Sequence, residues 1–320
     1  MPYYNHPIPS EKGGMAMDYV LQTDSLTKTY KTTKALDRLT MNVERGAIYG
    51  FVGRNGAGKT TLIRLICGLQ LPTEGSFTLY GCPNTGREIT KARRRMGAVV
   101  ETPSIYLSMT AEENLKQQYQ ILGLPSCEGV GELLELVRLQ NTGRKKARDF
   151  SLGMRQRLGI AVALAGDPDF LILDEPANGL DPQGIVEIRE LILRLNRERQ
   201  ITVLISSHIL DELSRLATHY GFIDGGRMVR EISAKDLEAS CRKCLRLTVS
   251  NARPLTAALD KMGLEYSIRS DTEADVYGAP SVTELTLALH AAGCEIKNIR
   301  EHDESLESYY MNLVGGAADE

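Results

Sequence analysis

The hydrophobic residues of the chain follow two spacings that alternate along it. Continuous apolar runs are typical of strands buried on both faces of a parallel sheet. Four such runs are AIYGFV (47–52), FLILDEP (170–176), ITVLISSH (201–208) and YGFID (220–224). Between the runs, apolar residues recur at helical spacing, as in Leu62, Leu65, Ile66 and Leu69, and residues 110–165 are largely helical in pattern. This alternation predicts an α/β fold with a parallel core sheet and a helical subdomain.

Two parts of the chain have a different pattern. Residues 18–80 alternate apolar and polar positions outside the first run and its helix, which predicts an antiparallel β subdomain. The alternating apolar residues are Leu39, Met41 and Val43 in one segment and Phe77 and Leu79 in another. After residue 234 the composition shifts, and residues 245–314 are predicted to form a small α/β module of strands and helices. Its last helix carries Leu306, Tyr309, Tyr310 and Leu313 on one face.

A glycine-rich segment, GRNGAGKTT (Gly53–Thr61), lies between the first apolar run and the first helical stripe. It fits the phosphate-loop pattern of a glycine, four residues and Gly-Lys-Thr. Its glycines leave room for backbone N–H groups to wrap a phosphate at a helix N-terminus. We expect Lys59 to neutralise the β- and γ-phosphates and the Thr60 hydroxyl to bind Mg²⁺. The competing explanation is a glycine-rich turn with an exposed lysine. The order of strand, loop and helix favours the phosphate loop.

Two acidic residues end the second apolar run, and a histidine ends the third. The carboxyl ends of parallel strands form the ligand crevice, so we expect these side chains near the phosphate loop. Asp174 would hold Mg²⁺ through water, and Glu175 would act as general base toward the attacking water. His208 is a candidate γ-phosphate sensor. The competing explanations are an acidic helix cap and a structural histidine.

Two further features leave both a functional and a structural explanation open. Ser151 is a good N-cap for a predicted helix, and Gly153 allows close approach, so this helix start either binds an anion or is simply capped. Tyr30 lies just after the first predicted strand. It either stacks on an adenine ring or is an ordinary half-buried strand tyrosine. Without further context, the second explanation is favoured.

Composition limits the classes of function. The chain has 320 residues, 42% of them hydrophobic and 25% charged, as in a globular protein of about two domains. A net charge of −3 gives no general reason to expect nucleic acid as a partner. No apolar run is long enough to span a membrane, so a membrane role needs a partner. Residues 1–17 lack a secretory signal and predict a flexible extension. The single CxxC pair, Cys241 and Cys244, lacks the second pair that four-cysteine zinc sites usually need.

Taken together, these motifs resemble the ATP-binding subunits of ABC transporters, in order, over residues 19–233. After the phosphate loop come FSLGM where the family usually has the signature LSGGQ, FLILDE as Walker B, ANGLD as the D-loop and His208 as the switch histidine. Tyr30 occupies the adenine-stacking position of the family, which reverses the preference for a structural tyrosine. The resemblance implies the P-loop NTPase ABC ATPase fold, with an ABC ATP-binding domain over 18–234 and an accessory α/β domain over 235–320 that ends in an amphipathic helix.

The resemblance also implies the residues of the site. Glu175 and His208 would be catalytic, and Thr60, Glu101 and Asp174 would serve the metal. The ATP-binding residues would be Tyr30, Gly53, Arg54, Asn55, Gly56, Ala57, Gly58, Lys59, Thr60, Thr61, Glu101, Ser151, Gly153 and Asp181.

Two departures from the family pattern bear on function. The signature has Leu152 and Met154 where glycine and glutamine are common, but it keeps the serine and the second glycine, so phosphate contact should survive. Glu101 replaces the Q-loop glutamine and offers a carboxylate to Mg²⁺ in place of a neutral carbonyl. This glutamate, the Pro-Ser-aromatic segment after it and the tail SLESYYMNLVGG resemble the bacitracin-resistance and lantibiotic-immunity branch of ABC exporters.

The implied function is that of an ATPase subunit, soluble when isolated, that forms a homodimer around two Mg-ATP. It would drive a separate membrane permease from the cytoplasmic face and export peptide antibiotics or other drugs. Each ATP would lie between the phosphate loop of one copy and the signature of the other, and residues 101–109, with Tyr106, would contact the permease. The alternative is a soluble ABC-type mechanochemical or translation factor, which the single cassette and acidic charge argue against. The C-terminal module is small for an importer-type regulatory domain, and dimer contacts are its other candidate role.

Overall fold

The structure is a computed structural model that describes residues 18–240, 244–250, 252–278, 281–302 and 306–315. The predicted N-terminal extension, 1–17, lies outside these residues, and so does Cys241 of the CxxC pair. None of the described helices has the length and apolar character that crossing a membrane requires.

The first part of the chain forms the expected antiparallel sheet. Its strands are β1 (Tyr19–Tyr30), β2 (Thr33–Glu44), β4 (Glu74–Leu79) and β5 (Cys82–Pro83), in the order β2-β1-β4-β5. The alternating apolar residues of β2 and β4 are all buried, so one face of the sheet belongs to the core. The predicted antiparallel β subdomain is confirmed.

A second sheet has six strands in the order β10-β9-β3-β8-β7-β6. The strands are β3 (Ile48–Val52), β6 (Met96–Val99), β7 (Phe170–Asp174), β8 (Thr202–Ser207), β9 (His219–Asp224) and β10 (Arg227–Ser233). All neighbouring pairs are parallel except β9 and β10, which form a hairpin through Gly225 and Gly226. Every residue of β3, β7 and β8 is buried, as the continuous apolar runs predict.

Helices flank the core sheet and form a separate group between β6 and β7. They are α1 (Lys59–Ile66), α2 (Ile89–Arg93), α3 (Ala111–Leu122), α4 (Val130–Leu136), α5 (Leu152–Leu164), α6 (Pro182–Arg199) and α7 (Leu210–Ser214). The prediction that Leu69 continues the apolar face of α1 is wrong. The helix ends at Ile66, Gly68 follows with a φ of 79°, and the Leu69 side chain is 65% exposed. A glycine in the left-handed region is a common helix terminator, and its signal outweighs the apolar spacing.

The two faces of the core sheet belong to two hydrophobic clusters. In β7, Phe170 and Ile172 pack with α1 and the antiparallel sheet, whereas Leu171 and Leu173 pack with the helical group and α6. Successive strand residues point to opposite faces, so β7 is apolar throughout because both faces are covered. Both layers hold the carboxyl end of β7 in a fixed position.

The C-terminal part contains a third, antiparallel sheet. Its strands are β11 (Cys244–Val249), β12 (Tyr266–Ser270), β13 (Glu273–Tyr277) and β14 (Ile296–His302), in the order β12-β13-β11-β14. The accompanying helices are α8 (Ala234–Ser240), α9 (Ala252–Met262) and α10 (Val282–Ala291). The strands share a hydrophobic cluster of their own with α9 and α10, whereas Leu237 of α8 belongs to the cluster of the core sheet. The last helix, α11 (Leu306–Gly315), packs instead on the cluster beneath the core sheet, through Leu306, Tyr309, Tyr310 and Leu313.

Candidate functional site

The phosphate loop connects the end of β3 to the start of α1. Gly56 and Gly58 have φ values of 84° and 110°, which residues with a side chain rarely adopt. A Cβ on Gly58 would also lie 2.4 Å from the carbonyl oxygen of Ala35, so glycine is required there by space as well as by conformation. The glycines of the motif therefore allow the backbone to curl tightly in front of the first turn of α1.

The side chain of Lys59, the first residue of α1, folds back onto the loop. Its side chain is 4% exposed, and Nζ donates to the carbonyl oxygens of Gly53, at 2.7 Å, and Arg54, at 3.2 Å. Nζ also lies 3.2 Å from Oε1 of Glu175. The ammonium group is thus held at the mouth of the loop by the loop itself and by the acidic end of β7, which is where a phosphate charge could replace Glu175 as its partner.

The acidic end of β7 is organised by its neighbour β8. Asp174 pairs with Ser206 in the parallel register, and the Ser206 hydroxyl donates to Asp174 Oδ1 at 2.5 Å. The N–H of Glu175 donates to both the carbonyl and the hydroxyl oxygen of Ser206, at 3.1 Å and 3.0 Å. Glu175 has a φ of 48°, an uncommon conformation for a residue with a side chain, and this turn brings its carboxylate out of the sheet. Nδ1 of His208 lies 3.0 Å from Glu175 Oε2.

Asp174 Oδ2 has no hydrogen-bond partner among the described residues, although the Asp174 side chain is only 1% exposed. A buried, unpaired carboxylate oxygen is costly, because it has lost water without gaining another donor. An atom of this kind at the edge of a phosphate-binding cleft is the donor that a hard cation takes. The residues present therefore fit the Mg²⁺ that the resemblance implies.

A cleft of about 530 Å³ lies in front of these residues. The phosphate loop and α1 supply Gly58, Lys59, Thr60 and Thr61, β7 supplies Asp174 and Glu175, and Glu101 with Thr102 and Pro103 forms another wall. Leu152 and Gln156 of α5 complete the lining on the side of the signature. The cleft thus combines the buried ammonium group of Lys59, the backbone of a glycine-rich loop and carboxylates, which is the set of groups that phosphoryl transfer to water needs.

Glu101 follows β6 with a φ of 59°, and its carboxylate is paired within the cleft wall. Oε1 lies 2.5 Å from Nη2 of Arg64 on α1. The guanidinium offsets the negative charge that replaces the neutral amide of a glutamine. Arg64 was not among the residues predicted for the site, because nothing in the sequence relates position 64 to position 101.

The other predicted site residues lie outside this cleft. The Ser151 hydroxyl accepts from the N–H of Met154 at 3.2 Å and caps α5, as predicted, and Gly153 follows in the first turn. Asp181 caps α6 by accepting from Gly184 N–H at 3.0 Å. Tyr30 ends β1, is 40% exposed, and has Lys28 Nζ 5.3 Å from its ring centroid. The structure thus brings together the phosphate loop, β7, β8 and Glu101, and leaves Ser151, Gly153, Asp181 and Tyr30 apart from them.

Sequence reasoning missed one contact at the loop, made by Tyr310, and the role of Ser206 at the end of β8. The hydroxyl of Tyr310, in α11, accepts a hydrogen bond from the N–H of Arg54 at 3.2 Å. Burial raises the pKa of this phenol, so it is neutral under physiological conditions. At the far end of α1, burial raises the pKa of the Cys67 thiol to about 12, which keeps this cysteine in its unreactive form. A Ser-Ser-His sequence at a strand end was the available signal for Ser206; Tyr310 had none beyond its place on an apolar helix face.

Comparisons with known proteins agree with this geometry. The profile of the ABC transporter family matches residues 36–178. The bacitracin transport ATP-binding protein BcrA of Bacillus licheniformis is 41% identical over 303 residues, which cover 94% of this chain and 99% of that relative. The chain belongs to the ABC transporter family.

Other members support the same placement. The lantibiotic transport ATP-binding protein SrtF of Streptococcus pyogenes is 40% identical over 212 residues, covering 66% of this chain and 90% of SrtF. The dimeric, post-hydrolysis structure of the ATP-binding cassette MJ0796, bound to ADP and Pi, superposes with a TM-score of 0.61 at 28% identity. That match covers 67% of this chain and 98% of the cassette. The chain is therefore an ATP-binding ABC ATPase with the predicted fold, and the alternative of a soluble mechanochemical or translation factor is not favoured.

Proposed function

We propose that this ATPase drives a separate membrane permease that exports peptide antibiotics. The observation that carries the proposal is the end-to-end similarity to the bacitracin transport ATP-binding protein of Bacillus licheniformis, which includes the C-terminal part and not the cassette alone. Glu101 supports it as well, because this departure from the glutamine of most ABC cassettes resembles the bacitracin and lantibiotic branch.

The chemistry would be carried by the residues of the cleft. Lys59, already at the mouth of the loop, exchanges Glu175 for the β- and γ-phosphates and so neutralises their charge. Glu175 accepts the proton of the attacking water, and His208, 3.0 Å from its carboxylate, orients it and contacts the γ-phosphate. Thr60, Asp174 and Glu101 would hold Mg²⁺ directly or through water. The cation would supply charge neutralisation on the phosphate oxygens.

Two copies of the chain would complete each site. Ser151 is exposed at the N-cap of α5, and Gly153 is half-buried in its first turn. Neither lines the cleft of its own chain, so both are available to the γ-phosphate bound by a second copy. Asp181, at the start of α6, would act at the same interface, and Tyr30 would stack on the adenine ring. ATP then links two copies, since each nucleotide contacts both, and its hydrolysis releases them.

A permease would bind the segment that follows Glu101. Tyr106 and Leu107 are 49% and 48% exposed, and apolar side chains of this size are common at the core of protein interfaces. The chain would act at the cytoplasmic face of the membrane through this contact. In this scheme residues 18–234 are the cassette, residues 235–320 an accessory module, and 1–17 an extension.

The test is Glu175→Gln, which keeps the shape of the side chain but removes the base. ATP turnover should fall by roughly 100- to 1000-fold. Glu190→Gln is the matched control, because Glu190 is an exposed glutamate of α6 that pairs with Arg138 on the surface. Turnover near the wild-type rate in E175Q would mean that Glu175 is not the base.

The export step needs a separate assay. The neighbouring genes are first sequenced to find a multi-span membrane protein, and the chain is then expressed together with that protein in a bacitracin-sensitive strain. Wild type should raise resistance to bacitracin or to a lantibiotic, and E175Q should not. Unchanged sensitivity to every peptide antibiotic tested, in cells whose wild-type protein hydrolyses ATP, would contradict the proposed substrate class and leave the ATPase assignment intact.

A further inference from the structure

The C-terminal helix α11 makes direct contact with the phosphate loop, 256 residues away in the sequence. The N–H of Arg54, the second residue of the loop, donates to the Tyr310 hydroxyl at 3.2 Å. The Arg54 guanidinium lies 3.7 Å from the sulfur of Met311, the next residue of the helix. A helix outside the cassette motifs thus touches the element that binds phosphate.

The hydroxyl that touches the loop is held in place by packing. Tyr310 is 5% exposed, and its ring stacks on Phe222 of β9 with centroids 5.9 Å apart. Tyr309 packs on the same phenylalanine at 5.7 Å. β9 is hydrogen-bonded to β3, the strand that leads into the loop. A tyrosine has few rotatable bonds, so a buried, stacked ring presents its hydroxyl at a fixed point relative to β3.

The contact lies at the exposed start of the loop. Arg54, Asn55 and Gly56 are exposed, whereas the second half of the loop is anchored by the hydrogen bond from Gly226 N–H to Ala57 O and by α1 itself. Lys59 Nζ holds the loop through the carbonyl oxygens of Gly53 and Arg54. The Tyr310 bond uses the N–H of Arg54, which belongs to the same peptide group as the Gly53 carbonyl, so Tyr310 and Lys59 hold this peptide from its two sides and do not compete.

Helix α11 also borders the segment around His208. Tyr310 lines a cavity of about 260 Å³ together with Arg54, Asn55, His208 and Leu210. α7, which begins two residues after His208, packs against α11. One helix therefore borders both the loop that binds phosphate and the segment that carries the switch histidine.

We propose that Tyr310 is a positioning residue for the ATPase. By bonding the N–H of Arg54 it holds the first turn of the phosphate loop in the conformation that receives ATP, and it makes the C-terminal part of the chain a determinant of ATP affinity. The loop is then pre-organised before nucleotide arrives, so ATP need not supply the free energy of ordering it. Tyr310 does not touch the reacting atoms, so its contribution belongs to binding and not to the chemical step.

The test is Tyr310→Phe in the full-length protein. This change removes the hydroxyl and keeps the ring that stacks on Phe222, so the fold is retained. Loss of one hydrogen bond to the loop corresponds to about a five-fold rise in the KM for ATP and in the Kd for a fluorescent ATP analogue. kcat should stay within about two-fold of wild type, because the transition state keeps all its other contacts.

Tyr266→Phe is the matched control, since it removes a hydroxyl that bonds Asp260 within the C-terminal module, away from the loop. It should leave KM, Kd and kcat at wild-type values. Circular dichroism melting of both variants tests whether each is folded as wild type is. Unchanged KM and Kd in Y310F, an equal rise in Y266F, or a fall in kcat without a change in KM would each overturn the proposal.

Discussion

Ser206 offers a sharp test of how the acidic edge of the core sheet is held together. Its hydroxyl donates to Asp174 Oδ1 at 2.5 Å and accepts the N–H of Glu175 at 3.0 Å. Both Ser206 and Asp174 are almost fully buried, at 0% and 1% exposure. Ser206→Ala removes both bonds and leaves a buried carboxylate with neither oxygen paired among the described residues. The change is small in volume, so packing is preserved.

The magnitude follows from the kind of bond that is lost. A hydrogen bond to a charged, buried group contributes about 1.5–3 kcal/mol, while Glu175 N–H keeps a second acceptor in the Ser206 carbonyl at 3.1 Å. We expect the free energy of unfolding to fall by about 2 kcal/mol, which lowers the Tm by roughly 4–8 °C for a domain of this size. Mg²⁺ bound with a non-hydrolysable ATP analogue would pair with the carboxylate, so the deficit should shrink when both are added.

Thermal and urea denaturation, each with and without Mg²⁺ and the analogue, measure this effect. Ser207→Ala is the control. Ser207 accepts the N–H of Ile209 at 2.9 Å, a bond between neutral groups, so about 1 kcal/mol should be lost regardless of ligand. A variant S206A as stable as wild type, or a deficit that magnesium and nucleotide leave unchanged, would refute the reasoning that Asp174 is a charge in need of a partner.

Two further changes test the other charged groups. Glu101→Gln should leave the Tm within about 2 °C of wild type, because the pair with Arg64 is half-exposed and surface pairs contribute little to stability. It should shift the Mg²⁺ concentration needed for half-maximal ATPase activity. An unchanged magnesium titration would contradict a metal role for Glu101. Asp275→Asn should lower stability at pH 7 by about 2 kcal/mol, measured by urea denaturation. Burial raises the pKa of Asp275, but hydrogen bonds from Arg246 and Arg269 outweigh it and the pKa is lowered. The stabilisation is therefore full above about pH 4 and lost as the pH falls below that value, so the variant and wild type should converge in acid.

Much of the fold could be predicted because its signals are local. The runs at β3, β7 and β8 are apolar without interruption, since both faces of those strands are covered. The glycines of the phosphate loop are needed for its backbone conformation, and their positions can be read directly from the sequence. Leu69 shows where a local signal misleads. Its spacing is helical, but α1 ends at Ile66 and Gly68 turns the chain away before Leu69 is reached. The predicted roles of the site residues, including Ser151 and Tyr30, stay predictions.

What could not be predicted depends on distant parts of the chain. Arg64 pairs with Glu101 because α1 and the end of β6 meet beside the cleft. An arginine or a glutamate in a sequence does not by itself identify its partner. Tyr310 was correctly expected on the apolar face of the last helix, but the surface that this face covers is decided by packing. Apolar periodicity says that a face is buried and does not say against what.

The pairing of β7 with β8 determines which residues reach the cleft. In the parallel register Asp174 lies beside Ser206, and the N–H of the next residue, Glu175, bonds back to the Ser206 carbonyl. A slip by one residue would turn every side chain of β7 to the opposite face and would take the carboxylates away from Lys59. Two apolar layers oppose that slip, because Phe170 and Ile172 would exchange clusters with Leu171 and Leu173. The same burial that stabilises the sheet therefore fixes Asp174 against Ser206 and Glu175 against Lys59, so substitutions in the core of β7 should alter ATPase activity as well as stability.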